Sequence, residues 1–405
     1  MLFASACGVL AATPRASSTP PASPPAAAGE RLVVEGDTQT QIIDTATGRT
    51  VVTLPGGVLS PSADTIVRVG TDQAKTALAG LDLAGQTVLT VALPGAYALP
   101  SAYGAAPSGF SPNGKWLVLV SRDTAGSRFA VIDIANSKLV STVTLGARFS
   151  FDAIHNDGSA MYLIEHPVPG ATSYNVRLYD LRTMTLEPGI IFDKSSIAQY
   201  DPTVGLMDGT FHVSVAPKVG DWSFGLYMRP SGAPFVHAQN VPGHYATCIV
   251  DLAGRWTPSS MFSMTLSDDG KRLYVVDTAG GSVSVIDAET QKVSRRATFA
   301  TPGGTGDPHA ASAAVSKDGT RLYASGARGV AMLQTTDLSL KGWSAPDLAM
   351  RSLALSSDGA RLFGLSGDSV NVIDALSGRV LSQIAAGSGA RAIHLLARAV
   401  PGSRP

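Results

Sequence analysis

The chain has 405 residues, 44% hydrophobic and only 15% charged, with 31 Lys and Arg balanced by 31 Asp and Glu. The balance excludes the one-sided basic face of a nucleic-acid-binding protein, and no apolar run reaches the ~18 residues of a membrane-spanning helix. Two cysteines, Cys7 and Cys248, are too few for a disulfide framework or a four-thiolate zinc site.

In chain order, the first predicted feature is a leader and tether over residues 1–30. Met1-Leu2-Phe3 precedes Ala4-Ser5-Ala6-Cys7. Small residues ahead of a cysteine resemble the lipobox of bacterial lipoproteins, although Ala4 stands where Leu or Val is usual and the basic segment of a leader is missing. The resemblance implies a lipid on Cys7. The segment ATPRASSTPPASPPAAAGE, 12–30, carries no large apolar side chain, so it is expected to stay extended and disordered. A multiply acylated Cys7 would be a firm anchor where a single acyl chain is marginal. These features predict an extracytoplasmic, lipid-anchored protein of the bacterial cell surface.

From residue 31 onward one phrase recurs. SPSADTIVRV (60–69), SPNGKWLVLV (111–120), HNDGSAMYLI (155–164), MDGTFHVSV (207–215), SDDGKRLYVV (267–276), SKDGTRLYAS (316–325) and SSDGARLFGL (356–365) each join a turn to an alternating strand. Asn-Gly and Asp-Gly supply the positive φ of a tight hairpin, and the alternation sends one face into a core. A second phrase follows, as in VSVIDAETQKV (283–293) and VNVIDALSGRV (370–380). Its aspartate, at 44, 82, 133, 180, 287 and 374, ends a strand where a carboxylate can close an Asx-turn; this set is read as structural. The spacing from Gly114 to Gly359 averages about 49 residues, the length of a four-stranded propeller blade.

The chain therefore predicts an all-β fold, a propeller of four-stranded antiparallel blades spanning 31–398, with a disordered tail at 399–405. Residues 31–54 supply three strands and 390–398 a fourth, so the two ends share one blade and hide the sheet edges that an open stack would expose. The count is eight: the shared blade and units near 58–95, 107–146, 150–192, 201–242, 258–300, 309–345 and 347–386. The fifth is irregular and is followed by a long link, 243–257; were it an insertion, seven blades would remain.

RLYVVDTAGGSVSVIDAETQKV, 272–293, resembles the YVTN repeat, whose pattern is an Asp-Gly turn, a Tyr-Val strand, a short hairpin and Val-Ser-Val-Ile-Asp. The likeness covers most of 31–398 and is strongest at 258–300 and 347–386. It implies a propeller related to surface-layer and lactonase-like proteins, a family that includes both lactone hydrolases and many surface proteins without known activity. The fold alone does not choose between them.

No strained Gly-x-Ser-x-Gly elbow, phosphate-cradling glycine loop or haem-attachment motif is present. His237, His244 and Cys248 lie close in sequence, but their spacing is irregular, and no metal or cofactor is expected. The loops that lead into the inner strands carry Arg148, Asp152, His155, Tyr200, Asp201, Asp307, His309, Arg351 and Arg391, a polar ring expected at the mouth of the axial channel. Trp222, Tyr227, Tyr245 and Trp256 suggest an aromatic patch in the fifth unit. The expectation is a monomeric, non-enzymatic surface propeller that binds a protein or polysaccharide through loops on one face. The alternative is a lactonase-like hydrolase in which a His/Arg/Asp group at the mouth activates water.

Overall fold

The computed structural model describes residues 29–72, 75–100, 109–123, 126–168, 170–191, 207–217, 222–240, 243, 245–307 and 311–396. The tether with Cys7, the whole tail at 399–405, and Tyr200, Asp201, His244 and His309 lie outside these residues.

Among the described residues there is no helix, and the strands form eight antiparallel sheets. Blade I runs, outside to inside, Arg49–Pro55, Gln39–Asp44, Arg31–Gly36 and Ala390–Leu396, so the closing strand comes from the far end of the chain. Leu32 pairs with Leu395 and Val34 with Ile393, in the predicted arrangement. Blade II is built from Val58–Leu59, Thr65–Asp72, Lys75–Asp82 and Thr87–Pro94. Blades VI, VII and VIII follow the same plan, with inner strands Phe262–Leu266, Ala313–Val315 and Ser352–Leu355.

The repeated phrase has a repeated physical content. In blade VI, Ser267 Oγ donates to Asp269 Oδ1 at 2.6 Å, and that carboxylate accepts the Lys271 N–H at 3.1 Å. The Arg272 N–H then returns to Ser267 Oγ at 3.0 Å, across a turn that Gly270 makes at φ +69°. Ser316 with Asp318 and Ser356 with Asp358 tie the same knot in blades VII and VIII. The hydrogen bonds from Ser267 and Ser316 hold the Asp269 and Asp318 carboxyls below their usual range. The second recurrent aspartate closes the next turn. Asp287 Oδ1 accepts the Thr290 N–H at 2.8 Å, and Asp44 and Asp374 act alike. These carboxylates are committed to the backbone.

The two middle strands of a blade are buried on both faces, as in Leu273–Asp277 and Val283–Ile286, because a neighbouring blade covers each side. Outer strands alternate between half-buried and exposed, as in Lys292–Thr298. Separate apolar clusters fill the gaps between successive blades.

Three blades depart from the plan. In blade III, Trp116–Asp123, Gly126–Asp133 and Lys138–Leu145 form the sheet, and single bridges at Phe110↔Leu117 and Ala98↔Val120 stand at its inner edge. Blade IV (Phe149–Ile154, Ala160–Glu165, Ser173–Asp180) ends in a two-residue outer strand, Thr185–Leu186, while Met207–Asp208 pairs with Ser173 and Tyr174. In blade V (Thr210–Val215, Trp222–Met228, Pro234–Asn240, Tyr245–Asp251) the outer strand lies in the stretch expected to be a link, 243–257. The fifth unit is thus a complete blade, and the ring has eight.

Candidate functional site

The inner strands surround an axial cavity of about 1420 Å³. That exceeds the ~300–1,000 Å³ of a typical small-ligand pocket. Its wall is mainly apolar, with Phe149, Phe151, Phe211 and Leu266 among the lining residues, and polar groups enter at a few positions.

The predicted mouth residues separate in space. Arg148 directly precedes the inner strand of blade IV; it is exposed and lines the cavity where the inner strands begin. Asp307 is exposed in the segment leading to the inner strand of blade VII and does not line the cavity. Arg351 donates to the Ala390 carbonyl at 3.1 Å, and Arg391 Nε lies 3.2 Å from Asp37 Oδ1. Both arginines fasten the ring closure, and neither lines the cavity.

His155 does not share the mouth with Arg148. It follows the other end of the inner strand, roughly 20 Å away along seven extended residues. There it takes the place that serine occupies in the repeated turn. Its Nδ1 lies 2.5 Å from Asp157 Oδ1, and the same oxygen accepts the Ser159 N–H at 2.8 Å. Burial alone would raise the Asp157 carboxyl, but the hydrogen bonds from Ser159 and His155 outweigh it and bring the group down to about 2.

Asp152 lies within the strand, not in a loop. The pairing of Phe149–Ile154 with its neighbour slips between Phe151 and Ala153, so Asp152 is the extra residue of a β-bulge. Gln239, from the third strand of blade V, hydrogen-bonds to this carboxyl. Oδ2 is shut off from solvent and has no partner, although the residue as a whole keeps some surface on the cavity. Desolvation pushes the carboxyl up to about 6 against the hydrogen bond from Gln239.

Around Asp152 the gap between blades IV and V forms a recess unlike the others. Tyr174 and Tyr227 stack at 5.0 Å, Tyr227 stacks on Phe235 at 5.5 Å, and Phe211 meets Tyr227 edge-on at 5.5 Å. Gly225 leaves the necessary space, since a Cβ there would come within 2.9 Å of the Tyr227 ring. The two phenol oxygens interact with each other, but neither is held by a hydrogen bond of good geometry. Burial first, and the charge of Asp152 second, push both phenols well above their usual range. His237, 2% exposed, lies at the edge of the Tyr227 ring, and burial brings it down to about 4. The close packing of inner strand on inner strand that joins blades V to VIII and I is much weaker between blades IV and V.

Two further polar pairs line the cavity. Ser150 Oγ lies 2.9 Å from His166 Nε2, on the strand that carries Asp152. In blade I, His394 Nε2 lies 3.1 Å from Glu35 Oε1, which also accepts the Leu59 N–H at 2.6 Å.

Of the expected aromatic patch, Tyr227 is buried, Trp222 lines the cavity and stacks on Phe224, and Trp256 packs against the core between blades V and VI, so these three do not come together; the Tyr245 side chain lies outside the described residues. Among the described residues no three His, Cys, Asp or Glu side chains gather as metal ligands.

Reading the sequence did not single out Tyr174, Gln239, Ser150 or His166 as members of a site. The available sign was an aspartate inside the strand pattern FSFDAI, where that residue is disfavoured unless a bulge or a partner accommodates it.

No family model matches the chain, and no curated protein matches it. Solved structures share the architecture. Apo AztD from Citrobacter koseri aligns with a TM-score of 0.59 at 14% identity, over 91% of this chain and 98% of that one. The dihydro-heme d1 dehydrogenase NirN in complex with DHE aligns at 0.55 and 15%, over 92% and 77%. A eukaryotic initiation factor aligns at 0.50 and 12%, over 96% and 93%. At such identities the likeness reaches the backbone only, and it establishes that this chain has the β-propeller fold.

Proposed function

We propose that the chain is a non-catalytic binding propeller that receives part of a protein or glycan ligand in its axial cavity, and that a lipid on Cys7 holds it at the bacterial surface. The observation that carries this reading is the cavity of about 1420 Å³, whose lining sets aromatic side chains beside polar ones. A concave, largely apolar wall with a few polar groups is the usual form of a ligand site. The segment Ala4–Cys7 and the proline-rich stretch behind it support the tether, and the YVTN-like repeats support a surface role.

The reading is tested by a thermal-shift panel of oligosaccharides, short peptides and aryl amines on the whole chain, beside Ala314→Trp, which fills the cavity from blade VII. A rise in Tm with one class that Ala314→Trp abolishes is expected. No binder in any class, or binding untouched by that substitution, overturns the cavity. For the tether, Cys7→Ala is expected to release the protein from the membrane fraction, and unchanged fractionation would remove that part.

A lactonase-like reading has one observation in its favour, the Ser150 Oγ to His166 Nε2 contact of 2.9 Å. That is the reach of a nucleophile and its general base. Ser150 would attack a cyclic ester carbonyl, His166 would take the hydroxyl proton and pass it to the departing ring oxygen, and water would release the acyl group. Turnover of a lactone that Ser150→Ala abolishes without loss of Tm would favour this reading over simple binding.

A further inference from the structure

Six blades carry the repeated turn after their innermost residues, and in five of them it begins with serine: Ser60, Ser111, Ser267, Ser316 and Ser356. Each of these hydroxyls is used inside its own turn. It donates to the Asn or Asp two residues on in blades III, VI, VII and VIII, and to Asp64 in blade II.

Blade IV has a histidine in that place. His155 does the serine's work with Nδ1, 2.5 Å from Asp157 Oδ1, and a histidine carries a second nitrogen. Asp157 also accepts from Arg182 Nη2 at 2.9 Å and stays ionised down to about 2. The proton of the neutral ring therefore sits on Nδ1, and Nε2 presents a lone pair. Asn156 divides its amide in the same way. Its Oδ1 accepts the Asn113 N–H of blade III at 2.9 Å, which leaves Nδ2 as a donor with no partner among the described residues. Both residues line the axial cavity, and the His155 side chain is 18% exposed. Neither nitrogen is among the sealed polar atoms, so solvent reaches both. Two consecutive residues thus each commit one polar atom to the fold and hold another open to the axis, one an acceptor and one a donor.

The rest of this end of the cavity says what they suit. Asp268, Lys317 and Ser357 occupy the place of Asn156 in blades VI, VII and VIII, and Pro61 and Pro112 occupy it in blades II and III, across the ring. Asp268 and Lys317 are exposed and opposite in charge, so a ligand with a net charge meets one attracting and one repelling group. A neutral ligand rich in hydroxyls is answered throughout, because each hydroxyl both donates and accepts. The carboxylate and Nε2 take its protons, the ammonium and Nδ2 supply theirs, and the prolines offer an apolar flank for the C–H face of a sugar ring.

Resting on the cavity reading above, we propose that the turn end of the axial cavity is a saccharide site, in which His155 Nε2 accepts the proton of one sugar hydroxyl and Asn156 Nδ2 donates to a neighbouring sugar oxygen. Of the two ligand classes named there, this selects an uncharged glycan. Asp157 is a positioning residue: it holds the imidazole and its tautomer through Nδ1 and does not touch the ligand.

Isothermal titration of the whole chain with cellotriose, maltotriose, chitotriose and mannotriose tests the site, beside trigalacturonate and trialanine. At least one neutral trisaccharide is expected to bind, and tenfold more tightly than trigalacturonate or trialanine. His155→Ser installs the residue that the other turns carry, so it should keep the native Tm while weakening that sugar at least tenfold. Asn156→Asp keeps Oδ1 for the Asn113 N–H and loses the donor, with the same loss expected. Proton–nitrogen NMR of the imidazole should place the His155 proton on Nδ1 in the native protein and shift it towards Nε2 in Asp157→Asn, a variant whose turn then matches that of Asn113 in blade III. Sugar binding that survives both His155→Ser and Asn156→Asp overturns the site, as does a native His155 proton on Nε2. A preference for trigalacturonate overturns the neutral ligand. Peptide binding lost in Ala314→Trp, with no trisaccharide bound, overturns the saccharide site and leaves the cavity reading standing; no ligand bound in either panel overturns both.

Discussion

The gap between blades VII and VIII and the gap between blades IV and V occupy equivalent places in the ring, yet they are filled differently. The first holds Val330, Leu353, Leu362, Ile373 and Met350, and its tyrosine, Tyr323, spends its hydroxyl on the Ala375 carbonyl. The second is built from Tyr162, Tyr174, Tyr227 and Phe235; Tyr162 spends its hydroxyl on the Asn240 carbonyl, while the Tyr174 and Tyr227 phenols have only each other. The contrast lies in side chains and in backbone, since blades VII and VIII follow the common plan whereas blade IV carries a bulge and a shortened outer strand. One gap is filled by aliphatic side chains, and the other buries a carboxyl and two phenols among aromatic rings.

The largest expected effect lies on the aliphatic side. Leu362→Ala removes a fully buried side chain and should cost about 2–5 kcal/mol, read from the urea midpoint. A cost below about 1 kcal/mol would mean that this gap is as loose as its counterpart.

On the aromatic side the sign reverses. Folded Asp152 keeps its proton up to about 6, while the unfolded chain loses it near 3.8. The folded state therefore holds the extra proton in that window, and this group's contribution to stability falls as pH rises through it. The difference amounts to roughly 3 kcal/mol at most. Asp152→Asn should accordingly raise the urea midpoint at pH 7.5 and change it little at pH 4; a destabilised variant at pH 7.5 would contradict the buried, uncompensated carboxylate.

His237 acts in the opposite direction. It stays neutral in the fold down to about 4, whereas the unfolded chain takes up a proton below 6.5. Stability from this group is lost as pH falls through that window. Between pH 4 and 6 the two slopes oppose each other in the native protein. His237→Phe should unmask the Asp152 slope, with stability falling from pH 4 to 6, and a flat profile in that variant would refute the coupling.

The smallest effect distinguishes the tyrosines. Tyr323→Phe should cost about 1 kcal/mol for its lost hydrogen bond to a backbone carbonyl, and Tyr227→Phe less, because only its poorly aligned contact with the Tyr174 phenol is lost. Equal costs in thermal melts would erase the distinction between the gaps.

The ring was legible because its rules are local. An Asp-Gly turn and the strand after it announce themselves within ten residues, and Asp287 reveals its turn by position alone. The shared blade was legible because residues 31–54 lack one strand and 390–398 supply one. The recess was not legible, for a physical reason. Asp152, Tyr174, Tyr227 and Gln239 come from four strands in two blades, and a bulge turns Asp152 onto the cavity. Nothing within a single strand encodes that convergence. His155 lines the cavity, but at the end opposite Arg148, because Asp157 and Ser159 recruit it into a serine's place, a substitution that becomes plain only when the turns are laid over one another. The outer strand of blade V was hidden because Tyr245–Asp251 follows no repeat phrase.

The pairing of Arg31–Gly36 with Ala390–Leu396 also constrains how the protein comes into being. A nascent chain that has not yet delivered Leu396 carries a naked strand edge at its very beginning, ready to pair with any neighbour. Ring closure must therefore wait until Ala390–Leu396 has been made, and a helper that shields the waiting edge would matter during that interval.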